Sequence, residues 1–102
     1  MQPPLLRLRV PTGWRVNYND FREIAPAGDR DGLKEDLFQA YHANTNRLLD
    51  LGWYPNGDPS GGFRIEVYVG DFGGERLHSV SSADRAWIVV ELERLLASIA
   101  RS

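Results

Sequence analysis

His42 and His78 are the only side chains whose ordinary pKa lies near neutrality. A pair of imidazoles working with a carboxylate would supply the general acid–base chemistry that hydrolases and nucleases use. Both fall beside turn segments, where a solvated histidine is the common outcome, and catalysis would require the fold to bring them together. Asp29, Asp31, Glu35 and Asp36 cluster around Gly32 and offer oxygen ligands of the kind hard cations take. The cluster lacks the third acid before the glycine and the terminal glutamate of a calcium loop, so a solvated acidic loop is expected. Asp71-Phe72-Gly73 spells a kinase triplet, but the glycine-rich loop, strand lysine and catalytic loop that give it meaning are missing. No serine sits in a nucleophile-elbow context. With no cysteine there is no thiolate nucleophile, no disulfide framework and no cysteine zinc site. Neither a catalytic constellation nor a metal or cofactor site is expected.

The aromatic residues carry more information. Trp14, Trp53, Tyr54, Phe63, Tyr68, Phe72 and Trp87 are many for 102 residues. Trp14, Trp53 and Phe63 fall at core-facing positions. Tyr54 and Tyr68 fall on strand faces opposite the core, and Trp87 and Val90 fall off the apolar stripe of a C-terminal helix. Tyrosine, tryptophan and arginine are the residue types that anchor protein interfaces. Tyr54, Tyr68, Trp87 and Val90 are therefore the expected partner-binding set, with a satellite cluster under the long loop as the competing explanation.

The elements that must position these residues follow from hydropathy and turn chemistry. The length supports a single domain over 1–102, too short for an α/β barrel or a kinase-sized catalytic fold. Apolar residues make up 42% and aromatics 11%, enough for a core. Leu6, Leu8 and Val10 alternate with Arg7 and Arg9, and after the turn Pro11-Thr12-Gly13 the residues Trp14, Val16 and Tyr18 alternate with Arg15, Asn17 and Asn19. The spacing predicts two strands paired as a hairpin. Residues 26–32 read as a loop.

Residues 33–54 admit two readings. Leu33, Leu37, Tyr41, Leu48 and Leu51 fit a helical stripe closed by Gly52. Asn44-Thr45-Asn46 argues against it, because short polar side chains compete for the backbone in mid-helix. The preferred alternative is a hairpin with strands over 36–42 and 47–54 and a turn over 43–46. Leu49, Leu51 and Trp53 then share one face, and Leu48, Asp50 and Tyr54 the other. Residues 55–62 form a loop. Phe63, Ile65, Val67 and Val69 alternate with Arg64, Glu66 and Tyr68 in the clearest strand, and Leu77–Val80 can pair back on it.

Ser81 is placed as the N-cap of a final helix, with Asp84 three residues on. At 100° per residue, Ile88, Leu92, Leu95, Leu96 and Ile99 form its buried stripe, and Trp87 falls beside Glu91 and Ser98. The fold expected is α+β, an antiparallel meander-like sheet of five to six strands packed by one C-terminal amphipathic helix.

The run Leu49-Asp50-Leu51-Gly52-Trp53-Tyr54-Pro55, continued through Asp58-Pro59-Ser60-Gly61-Gly62-Phe63-Arg64-Ile65 and the closing helix, resembles small bacterial immunity proteins over about residues 35–100. The resemblance is one of layout. It implies a stoichiometric, non-catalytic inhibitor that binds a cognate toxin domain and occludes its active site. No interface residue is carried over from it. Many immunity proteins are more acidic than this chain, which speaks against a basic nuclease as the target.

A net charge of −2 disfavours a general nucleic-acid binder. No apolar run approaches a membrane span or a signal segment, so a cytoplasmic protein is expected. Two other functions remain open from the sequence: a small hydrolase or nuclease-like enzyme using His42 or His78 with a carboxylate, and a homodimeric module using Trp87, Val90 and a sheet edge.

Overall fold

The computed structural model describes residues 4–23 and 33–102. The expected loop over 26–32, and with it Asp29 and Asp31, lies outside the described residues. Five strands, β1 (Trp14–Asn19), β2 (Phe38–His42), β3 (Arg47–Tyr54), β4 (Gly62–Val69) and β5 (Arg76–Ser82), precede one helix, α1 (Arg85–Ala100). The strands form a single antiparallel sheet in sequence order, β1-β2-β3-β4-β5. The expected α+β meander with its C-terminal helix is therefore the architecture of the chain.

The hairpin reading of residues 33–54 holds. Phe38 pairs with Leu51 and His42 with Arg47, and Asn46 closes the turn at φ 55°. Asparagine tolerates that left-handed backbone better than most residues, which favours a turn at the point where a helix would have had to continue. One face of the sheet buries Phe38, Ala40, Leu49, Leu51, Trp53, Phe63, Ile65 and Val67 against Ile88, Leu92, Leu95 and Leu96 of α1. Each fully buried Leu or Ile contributes about 1.5–3 kcal/mol of transfer free energy, so this layer dominates stability. Phe21 joins the aromatic end of the core, with its ring centroid 5.7 Å from that of Phe63, which lies 4.8 Å from Trp53.

Three local expectations are corrected. Residues 6–10 form no strand and no hairpin with β1. Leu5 makes one isolated bridge to Arg22, Leu6 N–H donates to the Phe21 carbonyl, and Arg9 N–H donates to the Glu93 carboxylate of α1. The segment is extended because Leu6, Leu8 and Val10 pack against the core from one side. That satisfies a period of two without a neighbouring strand. Second, a β-bulge between Val16 and Tyr18 sets Tyr18 opposite Gln39. A bulge inserts one residue and moves the next side chain to the other face, so Tyr18 leaves the core side shared by Trp14 and Val16. Third, the N-cap is Asp84, whose carboxylate accepts from Trp87 N–H, while Ser81 belongs to β5. Pairing of Arg64 with Ser81 and Phe63 with Ser82 extends β5 to where the helix was expected to begin. No helix among the described residues is long and apolar enough to cross a membrane.

Candidate functional site

The helix covers only one face of the sheet. Cross-strand register assembles the other, open face in rows. One row runs Arg15, Tyr41, Leu48, Tyr68, Arg76. The next runs Tyr18, Gln39, Asp50, Glu66, Ser79. Beyond it Arg64 faces Gly52, and Tyr54 closes the end of β3. Aromatic and arginine side chains thus border a central pair of carboxylates.

Asp50 and Glu66 are directly opposed on β3 and β4 and are only 6% and 8% exposed. Neighbouring like charges in a sheet are destabilising, and the electrostatics record it. Burial first, then the charges of Asp36 and Glu66, push the Asp50 carboxyl up to about 6, against a hydrogen bond from Gln39 that favours the ionised form. Glu66 is held by Arg76, whose guanidinium donates at 2.9 Å. Burial and the charges of Asp50, Glu35 and Glu66 raise Tyr54 to about 12. Burial, and then the Glu66 charge, raise Tyr68. Both phenols therefore remain protonated donors at neutral pH.

The rim is ordered by ring contacts. The Arg64 guanidinium lies 4.3 Å from the Tyr54 ring centroid, and Arg15 lies 5.5 Å from that of Tyr41. Phe72, from the β4–β5 turn, meets Tyr68 edge to face at 5.3 Å and is more than half exposed. Tyr41 donates its hydroxyl to Asn46 at 2.6 Å, and Asn17 donates to Gln39 at 3.0 Å. A shallow groove runs between Arg15, Gln39, Tyr41, Leu48 and Phe72. At the other end the backbone at Glu35 crosses close over Gly52, where any Cβ would overlap the Glu35 carbonyl. That crossing requires glycine at 52 and brings the acidic segment at Glu35 and Asp36 beside the central row. Among the described residues no His, Cys, Asp and Glu group has the geometry to hold a metal ion.

The histidines do not converge. His42 is buried on the core side of β2, its Nδ1 2.8 Å from the Thr45 hydroxyl and its ring 5.1 Å from that of Trp14. His78 is opposite Val67 on β5, also on the core side, with Nε2 enclosed and without a hydrogen-bond partner. Two strands separate β2 from β5. Glu91 of α1 is engaged by Arg94. The geometry expected of a two-histidine acid–base site is absent, and the open-face carboxylates have no imidazole beside them.

The four expected partner-binding residues do not share one surface. Tyr54 and Tyr68 are half-buried members of the open face, whereas Trp87 and Val90 project from α1, which packs on the other side of the sheet. Trp87 is 44% exposed and Val90 66%. Asp50, Glu66, Gln39, Tyr41 and the three arginines complete the face. Strand alternation places them on that side, but only cross-strand register shows that the two acids meet. No family model, curated protein or solved structure matches this chain.

Proposed function

We propose that the chain is a non-catalytic binding protein that engages another protein through the open face of its sheet. The carrying observation is the composition of that face. Tyrosines and arginines frame two enclosed carboxylates on a rigid scaffold, and among the described residues no helix or strand lies over them. Tyrosine and arginine are the side chains that most often dominate interface energetics. An incoming Arg or Lys side chain would relieve the Asp50–Glu66 repulsion, so burying the face becomes favourable only with a partner that brings positive charge.

The layout resemblance to immunity proteins supplies the class of partner, a cognate bacterial toxin whose active site is occluded by binding. The test is co-expression with the product of the neighbouring gene. Protection of the cells and co-purification of the two proteins are expected, and loss of both in an Asp50→Arg variant that remains folded. Absence of both protection and complex formation would overturn the proposal.

A further inference from the structure

We propose that the outer edge of β5, together with the flank of α1 beside it, forms an interface with a second copy of this chain. This surface is separate from the open face. β5 is the last strand of the sheet, so one side of its backbone is unpaired among the described residues. Sheet edges are commonly protected by lysine, proline or inward-pointing charge. From His78 to Ser82 this edge has none of these, and its one irregularity, the bulge at Leu77, lies before that stretch.

The strand is complementary to itself. Antiparallel pairing about Val80 sets Val80 against Val80, Ser79 against Ser81 and His78 against Ser82. Serine pairs can hydrogen-bond across strands, and no like charges of carboxylate or ammonium type are opposed. A two-fold axis of this kind is perpendicular to the sheet and leaves both helices on the same side, antiparallel to each other.

The helix is placed to complete the contact. It lies closest to β4 and β5. With strands roughly 4.8 Å apart, its axis is about 5 Å from such a two-fold. The two helices would then be about 10 Å apart, within the usual packing distance. Asp84, Trp87, Glu91, Arg94 and Ser98 are spaced three and four residues apart and form one stripe. Trp14 of β1, at the other edge of the sheet, reaches the Leu96 carbonyl, so this stripe, on the opposite flank of α1, lies on the β5 side. The flank toward β1 is covered by Arg9 of the N-terminal segment, whose N–H donates to Glu93, and by Trp14 of β1, whose indole donates to the Leu96 carbonyl.

Two strand residues, about 7 Å, separate Val80 from the end of β5. The same distance along α1 reaches about residue 89. Across a two-fold at that level, Arg94 of one copy meets Asp84 of the other, and Trp87 meets Glu91. Opposite charges therefore face each other at both ends, around a pair of exposed indoles.

The test is the mass of the full chain in solution by sedimentation or light scattering. A dimer of twice 11.5 kDa is expected. Arg94→Glu should give a monomer with the wild-type circular dichroism spectrum, Asp84→Lys a monomer of lower helix stability because the N-cap is lost, and mixing the two variants should restore the dimer, because each heterologous contact is again between opposite charges. Trp87→Ala, which does not touch the cap, should also give a monomer. A wild-type chain that stays monomeric at its highest soluble concentration would overturn the proposal. So would a dimer that all three variants leave intact, or a mixture that stays monomeric.

Discussion

Asp50 is held on the open face at an electrostatic cost, through burial and the neighbouring Asp36 and Glu66 charges. Its carboxyl titrates near 6 in the folded protein against 3.8 in the reference state. Between these values the folded state binds more protons than the unfolded one, so this residue's contribution to stability falls as pH rises and is fully lost above the folded value. Asp50→Asn keeps the shape and the Gln39 contact and removes the charge. The variant is expected to be more stable at neutral pH by roughly 1–3 kcal/mol, and the gain should vanish below about pH 4. Denaturant melts of the two proteins at several pH values would measure it, and a gain independent of pH would show that charge is not the cause. Asp20 and Glu91 act in the opposite sense. Lys34 beside Asp20 and Arg94 beside Glu91 lower their pKa values, so these pairs weaken on acidification, and only the difference between variant and wild type isolates Asp50. Sequence alternation places Asp50 and Glu66 on the open face, but their opposition depends on the β3–β4 register across a seven-residue loop, which no local pattern states. A residue that costs folding stability is consistent with the binding role proposed for this face.

At the scale of elements, close backbone approach and helix orientation make the sharpest predictions. Gly52→Ala places a methyl group into the Glu35 carbonyl, which is backbone and cannot rotate away. A loss of about 2–3 kcal/mol is expected from overpacking, measurable as a fall in the denaturant midpoint. A neutral result would mean that the crossing at Glu35 is not close. On α1, Leu92 is fully buried and Trp87 is not. Leu92→Ala should cost about 2–5 kcal/mol, and Trp87→Ala about 0.5 kcal/mol or less in the monomer. Equal losses would place Trp87 in the core. The helix stripe was legible because its period is unbroken over three turns. The β2–β3 hairpin was legible because Asn44-Thr45-Asn46 supplies turn chemistry between two alternating runs. The extended segment at Leu6–Val10 was misread as a strand because alternation reports only that one side is buried, not that a ladder exists. The bulge at Asn17 and the extension of β5 through Ser82 depend on pairing partners far along the chain.

The whole molecule presents two distinct surfaces on one small scaffold. The core layer takes up the inner faces of the five strands and α1, and both histidines point to that side, whereas the open face and the β5 edge lie outside it. The sequence shows this division only in part. Alternation places Tyr54 and Tyr68 on the side opposite the core, where they lie, but does not separate them from Trp87 and Val90, which a single helix carries to the other side of the sheet. Periodicity tells which residues avoid the core and does not tell which layer they leave it from. The central claim is that the open face binds another protein that brings an Arg or Lys side chain to its two carboxylates. Calorimetric titration of the neighbouring-gene product into the wild type, Tyr68→Ala and Trp87→Ala tests it most directly. The wild type and Trp87→Ala should bind alike, and Tyr68→Ala should bind at least about 30-fold more weakly, the scale of an interface hot spot. Equal binding by Tyr68→Ala, or a loss confined to Trp87→Ala, would contradict the assignment of the open face.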